Sequence, residues 1–177
     1  MDDPIFLQAV QNFLANALSI STVRRMGPSG TLEAIRTFLK GISLADVNKT
    51  KPSNYAHKLD DLTKNLQSAL PKPGHWGVAR KCLNLFFRDA LYNFYLRQEF
   101  DLTVFEKHLE IPLDSFVGRA LRKEAEGCDL PRWQSVIGLD AESSARFQDV
   151  AARVAKRKGT ERVHLDMLYW RPLSTPD

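Results

Sequence analysis

Leu70-Pro71-Lys72-Pro73-Gly74-His75-Trp76-Gly77-Val78-Ala79-Arg80-Lys81 leads into an almost wholly apolar run from Cys82 to Leu96. Two prolines and two glycines break the chain, so the first part is a tight turn. The run after it predicts a helix from Val78 to about Leu96. That helix is apolar around most of its circumference, which places it in the middle of the protein. Its polar positions are Asn84, Arg88, Asp89 and Asn93, of which Asn84 and Arg88 lie one turn apart and can share a face. Before the turn, Leu59, Leu62, Leu66 and Leu70 form the stripe of an amphipathic helix from about Tyr55 to Leu70. Residues 56–96 or so therefore read as helix, turn and buried helix, with Lys81 delivered to the start of the second helix.

A second proline-marked turn follows at Ile111-Pro112-Leu113-Asp114-Ser115-Phe116-Val117. Asp114 or Ser115 caps a helix holding Phe116, Val117, Ala120 and Leu121, with Gly127 at its end. Between the two turns, Leu102 to Leu109 predicts a short helix capped by Asp101 or Thr103. Pro131 begins a short helical piece, Asp140 caps a longer helix closing at Lys156-Arg157-Lys158-Gly159, and a last helix runs from about Glu161 to Trp170. Toward the N-terminus, Asp3-Pro4 starts a helix, and Ser19 to Gly30 is a loop. Ser29 or Thr31 then caps a second helix ended by Gly41, and Ser43 opens a further short turn. No alternation of the kind a strand needs survives this pass. The reading is an all-α fold, a single compact helical domain over residues 1–177, with about nine to eleven short helices.

Composition narrows the classes further. Of 177 residues, 44% are hydrophobic, ample for a packed interior. No apolar run is long enough to span a bilayer, and the acidic start Met1-Asp2-Asp3-Pro4 is unlike a secretory signal. The expectation is a soluble, cytoplasmic protein with no membrane partner, and a monomer. Cys82 and Cys128 have neither pairing nor metal-ligand spacing, and with four scattered histidines they build no zinc or iron–sulfur site. No metal and no cofactor is expected. A net charge of +4 leans toward a polyanionic partner without deciding for one.

Trp76-Gly77-Val78-Ala79-Arg80-Lys81 resembles the hairpin of the helix-hairpin-helix DNA glycosylase superfamily, whose usual form is Leu-Pro-Gly-Val-Gly-Arg-Lys. Gly77, Val78, Arg80 and Lys81 match in place, while Ala79 stands for the second glycine and Trp76 for the proline. Ile111-Pro112-Leu113-Asp114-Ser115-Phe116-Val117 is similar to the family's second signature, which carries its catalytic aspartate. Lysine and aspartate are further apart here than in most of the superfamily. That spacing, and the tail Val163-His164-Leu165-Asp166-Met167-Leu168-Tyr169-Trp170, resemble the archaeal 8-oxoguanine DNA glycosylase branch. Residues 1–54 match nothing in it.

The resemblance implies a fold of two helical lobes with a groove between them. It also implies a bifunctional DNA glycosylase and abasic-site lyase acting on double-stranded DNA with a damaged base, 8-oxoguanine being the expected one. Lys81 would be the Schiff-base nucleophile and Asp114 the carboxylate that takes its proton and steadies the sugar cation. Both sit at helix starts, where backbone N–H groups stabilise a carboxylate and disfavour a charged amine. The turn would grip phosphate through backbone N–H groups around Gly74, Gly77 and Val78, with Lys72, His75 and Arg80 adding charge. Trp170 and Trp76 are candidate walls for the extruded base.

Each residue also has a plainer reading. Lys81 alone would be an exposed helix residue, Asp114 an ordinary cap, and the tryptophans packing residues. His164 and Asp166, two apart on a helix, do not face each other and suggest no metal. Two other functions stay open: a non-catalytic helix-hairpin-helix protein that binds DNA with the same turn, and a helical protein-interaction domain.

Overall fold

The computed structural model describes residues 3–125 and 130–169. Every regular element among them is helical. The α-helices are α1 (Pro4–Ala17), α2 (Thr31–Lys40), α3 (Leu44–Asn48), α4 (Tyr55–Ala69), α5 (Trp76–Tyr92), α6 (Phe94–Glu99), α7 (Ser115–Glu124), α8 (Ala141–Lys158) and α9 (Leu165–Tyr169). Short 3₁₀ helices lie at Ile20–Val23, Pro52–Asn54, Leu102–His108 and Arg162–His164. The all-α expectation holds, and no helix among the described residues is long and apolar enough to cross a membrane.

α5 is the axle of the larger core. Val78, Ala79, Cys82, Leu83, Phe86, Phe87, Ala90 and Leu91 are all buried, surrounded by apolar residues of α1 to α4, α6 and the 102–108 turn. Burying a leucine or phenylalanine contributes about 1.5–3 kcal/mol, so this one helix accounts for a large share of the driving force. The same burial pushes the Cys82 thiol up to about 12, leaving it an inert core residue. A second apolar core gathers Ile111 and Leu113 with Val117 and Leu121 of α7, Phe147, Val150 and Val154 of α8, and Leu165 of α9. Trp133 packs against both.

Caps follow the chemistry of their residues. Asp3 accepts from the Ile5 N–H, Ser43 from Asp46 and Asp140 from Ser143. Buried Gln11 bonds three carbonyls at the end of α2 and just beyond it (Leu39, Lys40 and Ile42), while Arg36 of α2 donates to Leu18 O and Asn16 O at the end of α1. Each helix thus satisfies the orphan carbonyls of the other, which fixes the turn between them.

Several sequence expectations are corrected. The long helix does not reach Leu96: Asn93 leaves helical geometry (ψ 120°), closes α5, and caps α6 with its side chain on the Leu96 N–H. The short helix expected from Leu102 is present over residues 102–108 and is of the 3₁₀ type, but Asp101 at its start takes a left-handed conformation (φ 43°) and makes no side-chain cap. α2 is capped by Gly30 instead of Ser29 or Thr31, whose hydroxyl donates back to Pro28 O. No helix follows Pro131. There the indole of Trp133 lies so close to α7 that a Cβ on Gly118 would be 2.3 Å from its ring, and Trp133 Nε1 donates to Ser115 Oγ. Anchoring that side chain and Val136 pulls the segment out of any repeating conformation. Gly127, Cys128 and Trp170 lie outside the described residues.

Candidate active site

Lys81, Leu85, Arg88, Asp89 and Tyr92 recur at helical spacing along one face of α5, and that face is one wall of a cavity of about 650 Å³. Opposite walls come from Ala17 to Thr22, from Pro112, Asp114 and Phe116, and from Asp166 and Met167. The volume lies within the range of sites that enclose a small ligand, about 300–1,000 Å³. Lys81 and Asp114, separate in sequence and presented by α5 and α7, therefore face one space between the two apolar cores.

Lys81 is only 7% exposed, which disposes of the plain reading of a solvated helix residue. Its Nζ donates to the Thr22 carbonyl oxygen at 3.0 Å, across 59 residues of chain. Among the described residues it forms no salt bridge, so the amine meets a dipole rather than a carboxylate. Asp114 is the N-cap of α7: its Oδ1 accepts from Phe116 N (2.8 Å) and Val117 N (3.0 Å). Both bonds fall on one oxygen, and among the described residues Oδ2 accepts none. The strand of chain before it is held by buried Gln148, which accepts from Ile111 N and donates to Ile111 O. A carboxylate so anchored has little freedom left to lose.

The other end of the cavity is ionic. Arg88 is paired with Asp89 at 2.7 Å and with buried Asp166 by a very short contact. His164 turns away from Asp166 toward Tyr92 and Glu106, as its spacing implied. Among the described residues no three His, Cys, Asp or Glu side chains gather as a metal site requires.

The residues expected to grip DNA divide sharply. Lys72 is exposed, and Gly74 and His75 are partly so. Arg80 is a correction: its guanidinium is sealed in a network, bidentate on Glu110 (2.8 Å twice) and bonded to Asp60 (2.7 Å) and Thr63 (3.0 Å). Four of its five N–H donors are used inside the fold and the side chain is buried, so it offers no face to phosphate. Burial would raise the Glu110 carboxyl, but Arg80 and the Asn84 amide outweigh that and hold it below its ordinary range. Gly77 and Val78 are also buried, and a Cβ on Gly77 would meet Val136 O at 2.1 Å. That glycine admits the 136–139 segment, and no phosphate reaches its α-carbon. Trp76 is corrected likewise: it packs on the second core, with the Arg80 guanidinium 5.4 Å over its ring, and does not line the cavity. Trp170, the other proposed wall, lies outside the described residues.

The sequence reading passed over three parts of the site. The wall from Ala17 to Thr22 reads as loop and reaches the cavity only through tertiary contact. Phe116, 57% exposed beside Asp114, and Tyr92, 42% exposed, are large aromatic residues left at the surface. The one local signal for Tyr92 was its register with Lys81, Leu85, Arg88 and Asp89 on the face of α5. No family model matches the chain, and no curated protein or solved structure matches it either.

Proposed function

We propose that this protein is a bifunctional DNA glycosylase and abasic-site lyase that excises an oxidised base, 8-oxoguanine first among the candidates, from double-stranded DNA. The observation that supports this most is that a buried lysine amine and an N-capping carboxylate line one cavity between two apolar cores. The two cores, with that cavity between them, suit the two-lobed helix-hairpin-helix glycosylase architecture, and α4, the 70–75 turn and α5 supply its hairpin. The choice of lesion rests on the resemblance of Ile111 to Val117 and of the tail, and a cytoplasmic location on the acidic N-terminal residues and the lack of a membrane-spanning run.

In this reading the base leaves the stack and enters the cavity, where Arg88, Asp89 and Asp166 offer donors and acceptors and Phe116 an aromatic face. Lys81 Nζ passes a proton to Asp114 and attacks the sugar carbon C1′; the glycosidic bond breaks and its electrons leave with the base. Asp114 is charged and fixed until that proton reaches it, and so offsets the positive charge as it builds on the sugar. Asp114 returns the proton to O4′ as the C1′–O4′ bond opens, which gives the Schiff base; this acidifies the neighbouring C2′–H, whose loss expels the 3′ phosphate and nicks the strand. The Thr22 carbonyl orients the amine but offers no charge to trap it.

The same bond favours a second reading: Lys81 as a tie between the N-terminal turn and α5, in a DNA-binding protein without catalysis. Borohydride trapping on duplex carrying an oxidised guanine separates them. A covalent adduct is expected; duplex binding without an adduct supports the second reading, and neither would leave a protein-interaction role.

A further inference from the structure

Three side chains that the proposed chemistry leaves unused form a line from the cavity to solvent. Tyr92, the last residue of α5, lines the cavity, and its hydroxyl lies 2.8 Å from His164 Nδ1. The two rings are nearly parallel, 12° apart. His164 Nε2 lies 2.6 Å from Glu106 Oε1 on the 102–108 turn, and that carboxylate's side chain is 39% exposed. Three separate elements converge to make this chain, more than a fold needs to hold a surface tyrosine.

Its place along α5 says which reacting atoms it can meet. Tyr92 stands eleven residues beyond Lys81, roughly 16 Å along the axis at 1.5 Å per residue. The sugar must sit at the lysine end, so Tyr92 is at the base end, beside Arg88 and Asp89. A departing base carries the electrons of the broken glycosidic bond over its ring heteroatoms, and a donor at its edge neutralises them. We infer that Tyr92 is a catalytic acid for base departure, recharged from solvent through His164 beside Glu106. This rests on the glycosylase reading.

The step balances. Lys81 Nζ forms its bond to C1′ as the C1′–N bond breaks, and the base takes the Tyr92 hydroxyl proton on an edge heteroatom. Tyr92 Oη takes a proton from His164 Nδ1–H, the ring stays bound to the Glu106 carboxylate through Nε2–H, and it regains its proton from bulk water. As an imidazolium, His164 donates on both sides, to Glu106 and to Tyr92, which frees the tyrosine's own proton for the base.

The test compares two substrates of one enzyme: duplex with the oxidised base, and duplex with a preformed abasic site, which has no base to expel. Tyr92→Phe removes only the hydroxyl. Single-turnover excision should fall at least about tenfold, the low side for general acid catalysis. Cleavage of the abasic site should fall by less than about twofold and so report an intact fold. Glu106→Gln should act in the same direction and more weakly, and a lesion whose base is a better leaving group should be less sensitive to both. Unchanged excision by Tyr92→Phe, or an equal fall on both substrates, overturns the inference. Wild-type protein that yields no borohydride adduct on abasic duplex removes the glycosylase reading itself, and this inference with it.

Discussion

Two turns flank the start of α5, and they are built on opposite principles. The 70–75 turn closes on itself and on its neighbours. Gly74 O accepts from Gln67 Nε2, a Cβ on Gly74 would be 2.5 Å from Gln67 O, and just beyond it Gly77 abuts the 136–139 segment. The 3₁₀ turn at Ile20–Val23 is open. Ile20 is 74% exposed, Ser19 and Ser21 line the cavity, and Arg24 and Arg25 stand free of salt bridges among the described residues. Its inward commitments are the Thr22 carbonyl on Lys81 and the buried Val23 side chain. The first turn sets where α5 begins, and so where Lys81 sits; the second supplies the groups that an incoming partner can touch. A scaffold and a contact surface thus meet at one amine.

The comparison breaks most visibly at that amine. Lys81→Gln should abolish the borohydride adduct and strand nicking outright, since no primary amine remains. A glutamine amide can still donate to Thr22 O, so thermal stability should stay within about 1 kcal/mol, the worth of one ordinary hydrogen bond. A surviving adduct would move the nucleophile elsewhere. Asp114→Asn comes next. Asparagine caps about as well as aspartate, so the fold should barely change. Loss of the charge should slow excision by on the order of a hundredfold, as removal of a preorganised electrostatic partner does. Full activity in Asp114→Asn with unfolding in Asp114→Ala would make Asp114 a cap alone, with Asp89 and Asp166 the carboxylates to try next.

Arg80 tests the scaffold side. Arg80→Ala strands Glu110 and Asp60 beside a vacated space, and breaking a buried pair costs about 3–5 kcal/mol. Chemical denaturation should register that loss, while DNA affinity measured where the variant is still folded should hold. The same network sets an acid limit. Because the folded Glu110 carboxyl lies below its ordinary 4.5, the folded state binds its proton less readily than the unfolded chain. Its stabilisation is therefore complete above about pH 4.5 and is lost as pH falls through the lower, folded value. Glu110→Gln should flatten the stability profile in that acid range and lower stability at neutral pH.

What the sequence could and could not disclose follows from how far each residue's partners lie. The Asp114 cap and the turn after Leu70 are local patterns and both are in place, whereas Asn84 and Arg88, one turn apart, do not share the cavity face: Asn84 donates to Glu110 while Arg88 lines the cavity. Arg80 has the same local signature as a phosphate ligand, but its partners are Asp60, Thr63 and Glu110, on α4 and on the chain before α7. Only their convergence reveals it as a core residue. The N-terminal wall failed for a related reason: a loop signal says where the chain turns and nothing about which cavity it turns beside. Trp133, by contrast, defeated a local rule outright, its indole against Gly118 outweighing the helix start that Pro131 suggested.

The smallest expected effect bears on the two turns most directly. If DNA is the partner, each phosphate contact that is lost should reduce the slope of log K against log salt by about 0.9. Removing Arg24 and Arg25 together should then lower the slope by nearly two and weaken binding alike on any duplex sequence. Lys72→Ala, the one exposed cation of the packed turn, should lower it by no more than about one. Equilibrium binding titrated over a range of salt reads all three proteins on a single plot. Should Lys72→Ala carry the larger change, the grip belongs to the packed turn, whose backbone must then offer more than its glycines' neighbours leave open. Should neither variant move the slope, neither turn meets the phosphates, and the exposed Arg119, Arg122 and Lys123 of α7 become the next surface to strip.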